Sequence, residues 1–109
     1  MNELNLPEPI VAYFEADKHN AQAVAHCFTK DGEVKDEGQT HVGLAAIEAW
    51  KAAASTQYSY ITEPIAFSKQ GRHCIVTGRV TGNFPGSPVD LQYTFTLERG
   101  KIASLEITL

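Results

Sequence analysis

The chain has 109 residues and a mass of 11.9 kDa, enough for a single domain with one core over residues 1–109 and too little for two. With 43% hydrophobic and 20% charged residues, its composition is that of a folded globular protein and excludes a disordered one. Thirteen acidic residues against nine basic ones give a net charge of −4, and the Lys and Arg are scattered instead of massed, which argues against nucleic acid as a partner.

Apolar residues recur at helical spacing from about residue 7 to 55 and alternate from 58 to 109. The pattern separates a helical first half from a sheet-forming second half, which is an α+β arrangement. The first helix begins around Pro7 or Pro9, where proline is tolerated in the opening turn, and its stripe is Ile10, Tyr13, Phe14 and Asp17. Asn20 is an N-cap for a short second helix whose Ala21, Val24, Ala25 and Phe28 follow the i, i+3, i+4, i+7 rule; the two helices form a hairpin. Lys30-Asp31-Gly32 reads as a turn. Residues 33–38 then form a short strand with Val34 and Asp36 on one face. A third helix over about 43–55 buries Leu44, Ile47, Trp50 and Ala54 and is entered through the polar Gln39-Thr40-His41.

Four strands follow, at about 58–68, 73–83, 89–98 and 102–109. In the third of these, Val89, Leu91, Tyr93, Phe95 and Leu97 alternate with polar residues, giving one apolar face. The turns fall at Lys69-Gln70-Gly71, at the Pro- and Gly-rich residues 84–88, and at Arg99-Gly100, and connections this short imply an antiparallel meander.

The longest apolar run, residues 10–14, is too short for a bilayer span, and no basic-then-apolar leader opens the chain, so the expectation is a cytoplasmic protein with no membrane partner. Cys27 and Cys74 have no redox or haem-attachment spacing and read as reduced core residues. His19, His26 and His73 share no ligand spacing with one another or with the cysteines, which predicts no metal site. Without a glycine-rich dinucleotide fingerprint, a P-loop or a G-x-S-x-G elbow, no cofactor is expected.

Asp36 is the sharpest candidate, because alternation with Val34 turns it inward. An isolated carboxylate facing an apolar cavity has its charged form disfavoured, which suits it to moving a proton beside a carbonyl. Set against this is a carboxylate at a frayed strand end, either solvated or capping Thr40 and the backbone of the next turn. His41 stands just before the third helix, where an imidazole that titrates near physiological pH would shuttle protons at a pocket mouth, or else remain a solvated loop residue. Asp17 lies one turn after Tyr13 on the same helix face, as a pocket acid or as a hydrogen-bonding partner at the helix end. Trp50 and Phe28 are candidate walls of a ligand pocket. Phe84 sits in a loop, Asn83-Phe84-Pro85-Gly86-Ser87-Pro88, longer than hairpin closure requires. That loop is expected to be a rigid lip placing Phe84 over the pocket mouth or against a partner subunit, with local packing on its own strands as the alternative.

Several stretches match one fold family in order and spacing: Tyr13-Phe14-Glu15-Ala16, Phe28 with Asp31-Gly32-Glu33-Val34, Asp36-Glu37-Gly38, Gly43-Leu44-Ala45-Ala46-Ile47 with Trp50, and residues 95–102. In these the chain resembles a SnoaL-like or ketosteroid-isomerase-like protein of the nuclear transport factor 2-like superfamily. The resemblance implies a cone in which three helices close a curved, mainly antiparallel sheet around an apolar pocket, and homodimers that pack through the sheet. It places a carboxylate base at Asp36 and an oxyanion-donating tyrosine at Tyr13. The position of the family's second pocket acid falls near Gln92 or Tyr93, neither of which is an acid, a departure from the steroid-isomerase pattern.

The function expected is cofactor-free proton transfer, of the isomerase, cyclase or dehydratase type, on a small hydrophobic carbonyl compound, with Asp36, Tyr13 and His41 catalytic and Trp50, Phe28, Phe84 and Asp17 holding the ligand. The alternatives are a homodimeric module that binds a small hydrophobic ligand without turning it over and a pure association domain. An enclosed cavity with a titratable group marks the first, wholly apolar walls the second, and a filled core the third.

Overall fold

The computed structural model describes residues 4–109. Helix α1 (Glu8–Asp17) starts with Pro9 in its first turn. Helix α2 (Ala21–Ala25) is capped by Asn20, whose side-chain oxygen accepts the Ala23 N–H at 2.8 Å. Strands β1 (Phe28–Asp36) and β2 (Gln39–Val42) precede helix α3 (Leu44–Gln57). The chain then runs through β3 (Tyr60–Gln70), β4 (His73–Gly82), β5 (Val89–Glu98) and β6 (Lys101–Thr108). Six strands form one sheet in the order β2-β1-β6-β5-β4-β3. Every neighbouring pair is antiparallel except β1 with β6, where the chain has crossed the helices and the meander before returning. The fold is α+β, as the two-halves pattern and the family resemblance both imply.

Three local readings change. Phe28 does not close the second helix: α2 ends at Ala25, and Phe28 opens β1. The sheet competes for this backbone, since Ile102 N–H donates to the Cys27 carbonyl at 2.9 Å and Lys101 Nζ donates to the His26 carbonyl at 2.7 Å. Lys30-Asp31-Gly32 is not a free turn but an irregularity inside β1, where the register against β6 shifts between Phe28 and Glu33. Gly32 fits there because a Cβ would stand 2.9 Å from the Phe28 Cβ. The entry to the third helix is itself a strand: Asp36 pairs with Gln39, and the two residues between them, Glu37 and Gly38, have φ of 53° and 76°. Positive φ at both central positions is the hairpin turn whose twist matches that of the strands.

The core lies between the helices and one face of the sheet. Ile10, Tyr13 and Phe14 of α1, Val24 of α2 and Ile47 of α3 meet Val34, Val76, Phe95, Ile102 and Leu105. The Tyr13 ring packs edge-on against Phe14, Phe28 and Phe95 at centroid separations of 5.1, 6.2 and 5.5 Å, the arrangement aromatic quadrupoles favour. Among the described residues, no helix is long and apolar enough to cross a membrane.

Candidate functional site

Helices and sheet do not meet along their full length. Beyond the aromatic core they part around a cavity of about 450 Å³, walled by α1, α3, strand β5, the ends of β1, β3, β4 and β6, and the β4–β5 loop. Tyr13, Trp50, Tyr60 and Tyr93 supply its aromatic wall, and Tyr58, Phe84 and Pro85 stand near one another at the loop. The Phe84 ring packs edge-on to Tyr58 at 5.9 Å.

Asp36 lines this cavity. Strand alternation puts it on the face of the fully buried Val34, and its position as the last residue of β1 leaves it half-buried where the core opens. It is not an isolated carboxylate. Trp50, one helix away, donates its indole N–H to Asp36 Oδ2 at 3.0 Å, which fixes the carboxylate's orientation and leaves Oδ1 without a partner among the described residues. Glu37, next in the chain, reaches the rim from the turn.

A second polar group lies in the same wall. Lys51 is 6% exposed, and its ammonium is ion-paired with Asp17, whose side chain is equally buried. The ammonium stands 5.2 Å from the Trp50 ring centroid and 5.1 Å from that of Tyr60, within cation–π range of both. The Tyr60 hydroxyl donates to the same Asp17 Oδ1 at 3.5 Å. Burial is the largest single influence on Lys51 and pulls its pKa down. The Asp17 charge, the Tyr60 oxygen and their hydrogen bonds together outweigh it, so the net shift is upward from 10.5. Burial first, then the nearby Asp17 charge, pushes the Tyr13 hydroxyl well above its ordinary value, and burial likewise raises Tyr93. Both phenols are therefore neutral donors in the wall.

Thr62 of β3 completes the polar set. It is 7% exposed, and its hydroxyl has no partner in hydrogen-bond geometry, although the Tyr93 hydroxyl is close enough to be influenced by it. A bond needs both distance and angle, and this pair does not meet both.

The structure thus brings Tyr13, Asp36, Trp50 and Phe84 to one cavity and leaves Phe28, His41 and Asp17 outside its wall. Phe28, captured by β1, is 3% exposed in the core behind Tyr13. His41 sits on β2 opposite Val34 and packs on Trp50 with ring centroids 6.2 Å apart. Asp17 reaches the site only through Lys51 and Tyr60. Sequence reasoning missed Lys51, Tyr60 and Thr62. The signal the sequence carries for Lys51 is its i+4 spacing from Ile47, and it is a weak one because lysines are rarely buried unless paired. Among the described residues, no group of three or more His, Cys, Asp or Glu is placed to hold a metal.

Comparison with known proteins places this geometry. No curated protein matches the chain. A crystal structure of a Sinorhizobium meliloti protein assigned as a polyketide cyclase is 42% identical, covers 95% of this chain and 96% of its own, and superposes with a TM-score of 0.90. A Catenulispora acidiphila protein with a ketosteroid isomerase-like fold, solved in complex with trimethylamine, is 21% identical, with 96% and 87% coverage and a TM-score of 0.84. SalBIII, an epoxide hydrolase/cyclase-like enzyme of pyran ring formation in salinomycin, is 20% identical, with 93% and 87% coverage and a TM-score of 0.77. The last two likenesses speak for the fold alone. The SnoaL-like domain family matches residues 10–105, nearly the whole chain, and the helices, curved sheet and cavity agree with it: the chain belongs to the SnoaL-like domain family.

Proposed function

We propose that the protein catalyses cofactor-free proton transfer on a small hydrophobic carbonyl compound, in an isomerase, cyclase or dehydratase reaction, with Asp36 as the base. The observation that carries this reading is the setting of Asp36: a carboxylate lining a cavity that also holds six aromatic side chains, with one oxygen held by Trp50 and the other without a hydrogen-bond partner among the described residues. Aromatic walls hold the substrate by apolar burial, while the few polar groups orient it. Asp36 Oδ1 removes a proton from the carbon beside the carbonyl, and the bonding pair moves onto the carbonyl oxygen as an enolate forms. Returning the proton to another carbon completes an isomerisation; attack of the enolate carbon on a second carbonyl of the same molecule closes a ring, and the resulting alkoxide takes back the proton held by Asp36. Tyr13, neutral and in the wall, is a hydrogen-bond donor for the oxygen. The 42% identical relative assigned as a polyketide cyclase supports this class of chemistry.

A second reading, a homodimer that binds a small ligand without turnover, draws support from neighbours of this fold crystallised with trimethylamine or polyporic acid. The two separate on exchange of carbon-bound protons with solvent. Incubated in D2O with 2-tetralone, an apolar enolisable ketone, the wild-type protein should speed loss of the α-proton NMR signals, and Asp36→Asn should not. Binding of the ketone without faster exchange would favour the binding module.

A further inference from the structure

Asp36 supplies a base, but an enolate also needs a place for the charge that arrives on its oxygen. Tyr13 offers a neutral hydroxyl from the wall, and a neutral donor alone offsets less of a full negative charge than a charge-assisted one does. Two other groups in the wall have capacity left. An ammonium has three N–H donors; Asp17 takes one from Lys51 and the Tyr60 oxygen is near enough for a second, which leaves one for the cavity that Lys51 lines. The Thr62 hydroxyl, more than nine-tenths buried in the same wall, meets no partner in hydrogen-bond geometry although the Tyr93 hydroxyl lies near it, and a buried hydroxyl left unpaired costs stability unless something arrives to pair it.

We propose that Lys51, seconded by Thr62, is an anionic-oxygen site. It is the catalytic group that takes up the enolate oxygen, and it selects ligands that carry, or develop, a negative charge on a carbonyl, enol or phenol oxygen. The inference rests on the proton-transfer reading for its chemistry, but the site itself is read from the wall. Asp17, the counter-ion, is not part of the cavity wall, so the ion pair turns its ammonium and not its carboxylate to that side of the cavity. Trp50 joins the two ends: its N–H binds Asp36, and its ring lies beneath Lys51. A small carbonyl skeleton lying along the indole therefore has its acidic carbon at the carboxylate and its oxygen at the ammonium. In the step, the proton passes from carbon to Asp36 and the electron pair to oxygen, so one negative charge leaves the carboxylate and reappears beside Lys51. With its pKa raised, Lys51 stays protonated throughout and does not act as a Schiff-base nucleophile. A cationic ligand is disfavoured, because Lys51 already occupies the space over the Trp50 and Tyr60 rings.

The test uses 4-nitrophenol, a small apolar phenol whose ionised form has its own absorption band, titrated with the protein at a pH where the free dye is half ionised. The wild-type protein should bind it with the phenolate enriched, roughly tenfold over the neutral phenol, as a charge-assisted hydrogen bond to a buried ammonium allows. Lys51→Met alone leaves Asp17 buried without a counter-ion and risks unfolding, so the decisive variant is Asp17→Asn with Lys51→Met, which removes both charges together. That double variant should bind the dye in its neutral form, Lys51→Arg should keep the phenolate preference, and Thr62→Val should lose part of it. Asp36→Asn should preserve or strengthen it, because a neighbouring negative charge is gone. No enrichment of phenolate by the wild type, or equal enrichment by the folded double variant, overturns the proposal. Because the dye is not turned over, that failure is distinct from failure of the proton-transfer reading, which is judged on exchange by Asp36→Asn.

Discussion

Trp50 acts on Asp36 without touching the reacting proton: its N–H holds Oδ2 at 3.0 Å and so fixes the orientation of the carboxylate. Trp50→Phe keeps an aromatic ring in the wall and removes this donor. A hydrogen bond to a charged group is worth about 1.5–3 kcal/mol, so proton transfer should slow by roughly tenfold or more with little change in KM, which steady-state kinetics on an enolisable ketone would show; an equal rate with a weakened KM would make Trp50 a wall alone. Asp36 was legible in the sequence because a period of two ties it to Val34. Trp50 was legible as part of a helical stripe. Their bond was not, since it joins the end of a strand to the middle of a helix, and spacing within either element says nothing about the other.

At the scale of elements, the lesson lies in what closes each one. Asn20 announces α2 through its own side-chain bond, whereas the end of α2 is set by strand pairing with β6, more than seventy residues away in sequence. Strand β2 reads as polar connection because all four of its residues lie at the sheet's edge, exposed or half-buried, with no apolar face to alternate. Helix α3 buries Ile47 and Lys51, and a lysine in a core position becomes intelligible only once Asp17 of α1 is beside it. That ion pair ties α1 to α3, and removing one partner alone should cost about 3–5 kcal/mol. Asp17→Asn should therefore lower the denaturant midpoint far more than the double change with Lys51→Met does.

Alkali attacks the same elements. Lys51, Tyr13 and Tyr93 all have folded-state pKa values raised above their ordinary values of 10.5, 10.0 and 10.0. Their contribution is complete below those ordinary values and is lost as pH rises from them toward the folded-state values, because the unfolded chain gives up these protons first. Thermal unfolding followed by circular dichroism should show Tm falling steeply above about pH 10, with a shallower fall in the double variant. The β4–β5 loop has a separate role: Phe84→Ala should weaken uptake of 2-tetralone by several-fold while moving Tm little, since Phe84 is half-buried and lines the cavity. Unchanged uptake with a lowered Tm would leave it as local packing on Tyr58.

Across the whole molecule, the helices cover one face of the sheet, and the other presents polar and small side chains. Thr77 pairs with Gln92 across β4 and β5, and Thr96 with Ser104 across β5 and β6, all exposed or half-buried. We propose this face as the homodimer contact. Light scattering at micromolar concentration should give twice the 11.9-kDa chain mass, and Thr94→Arg at its centre should return the monomer; a wild-type mass of one chain would contradict the dimer. The α+β class and the meander were readable from the switch of apolar period. The parallel return of β6 beside β1 was not, because nothing local in either strand encodes a partner seventy residues away.

The account stands or falls on proton transfer at Asp36. Its most direct measurement is the rate at which 2-tetralone exchanges its α-protons for deuterium, followed by NMR for wild type and for Asp36→Asn confirmed as folded by circular dichroism. The account predicts exchange well above the buffer rate with wild type and a loss of at least about a hundredfold in the variant, the scale on which a positioned general base acts. Equal rates for wild type and Asp36→Asn would contradict it.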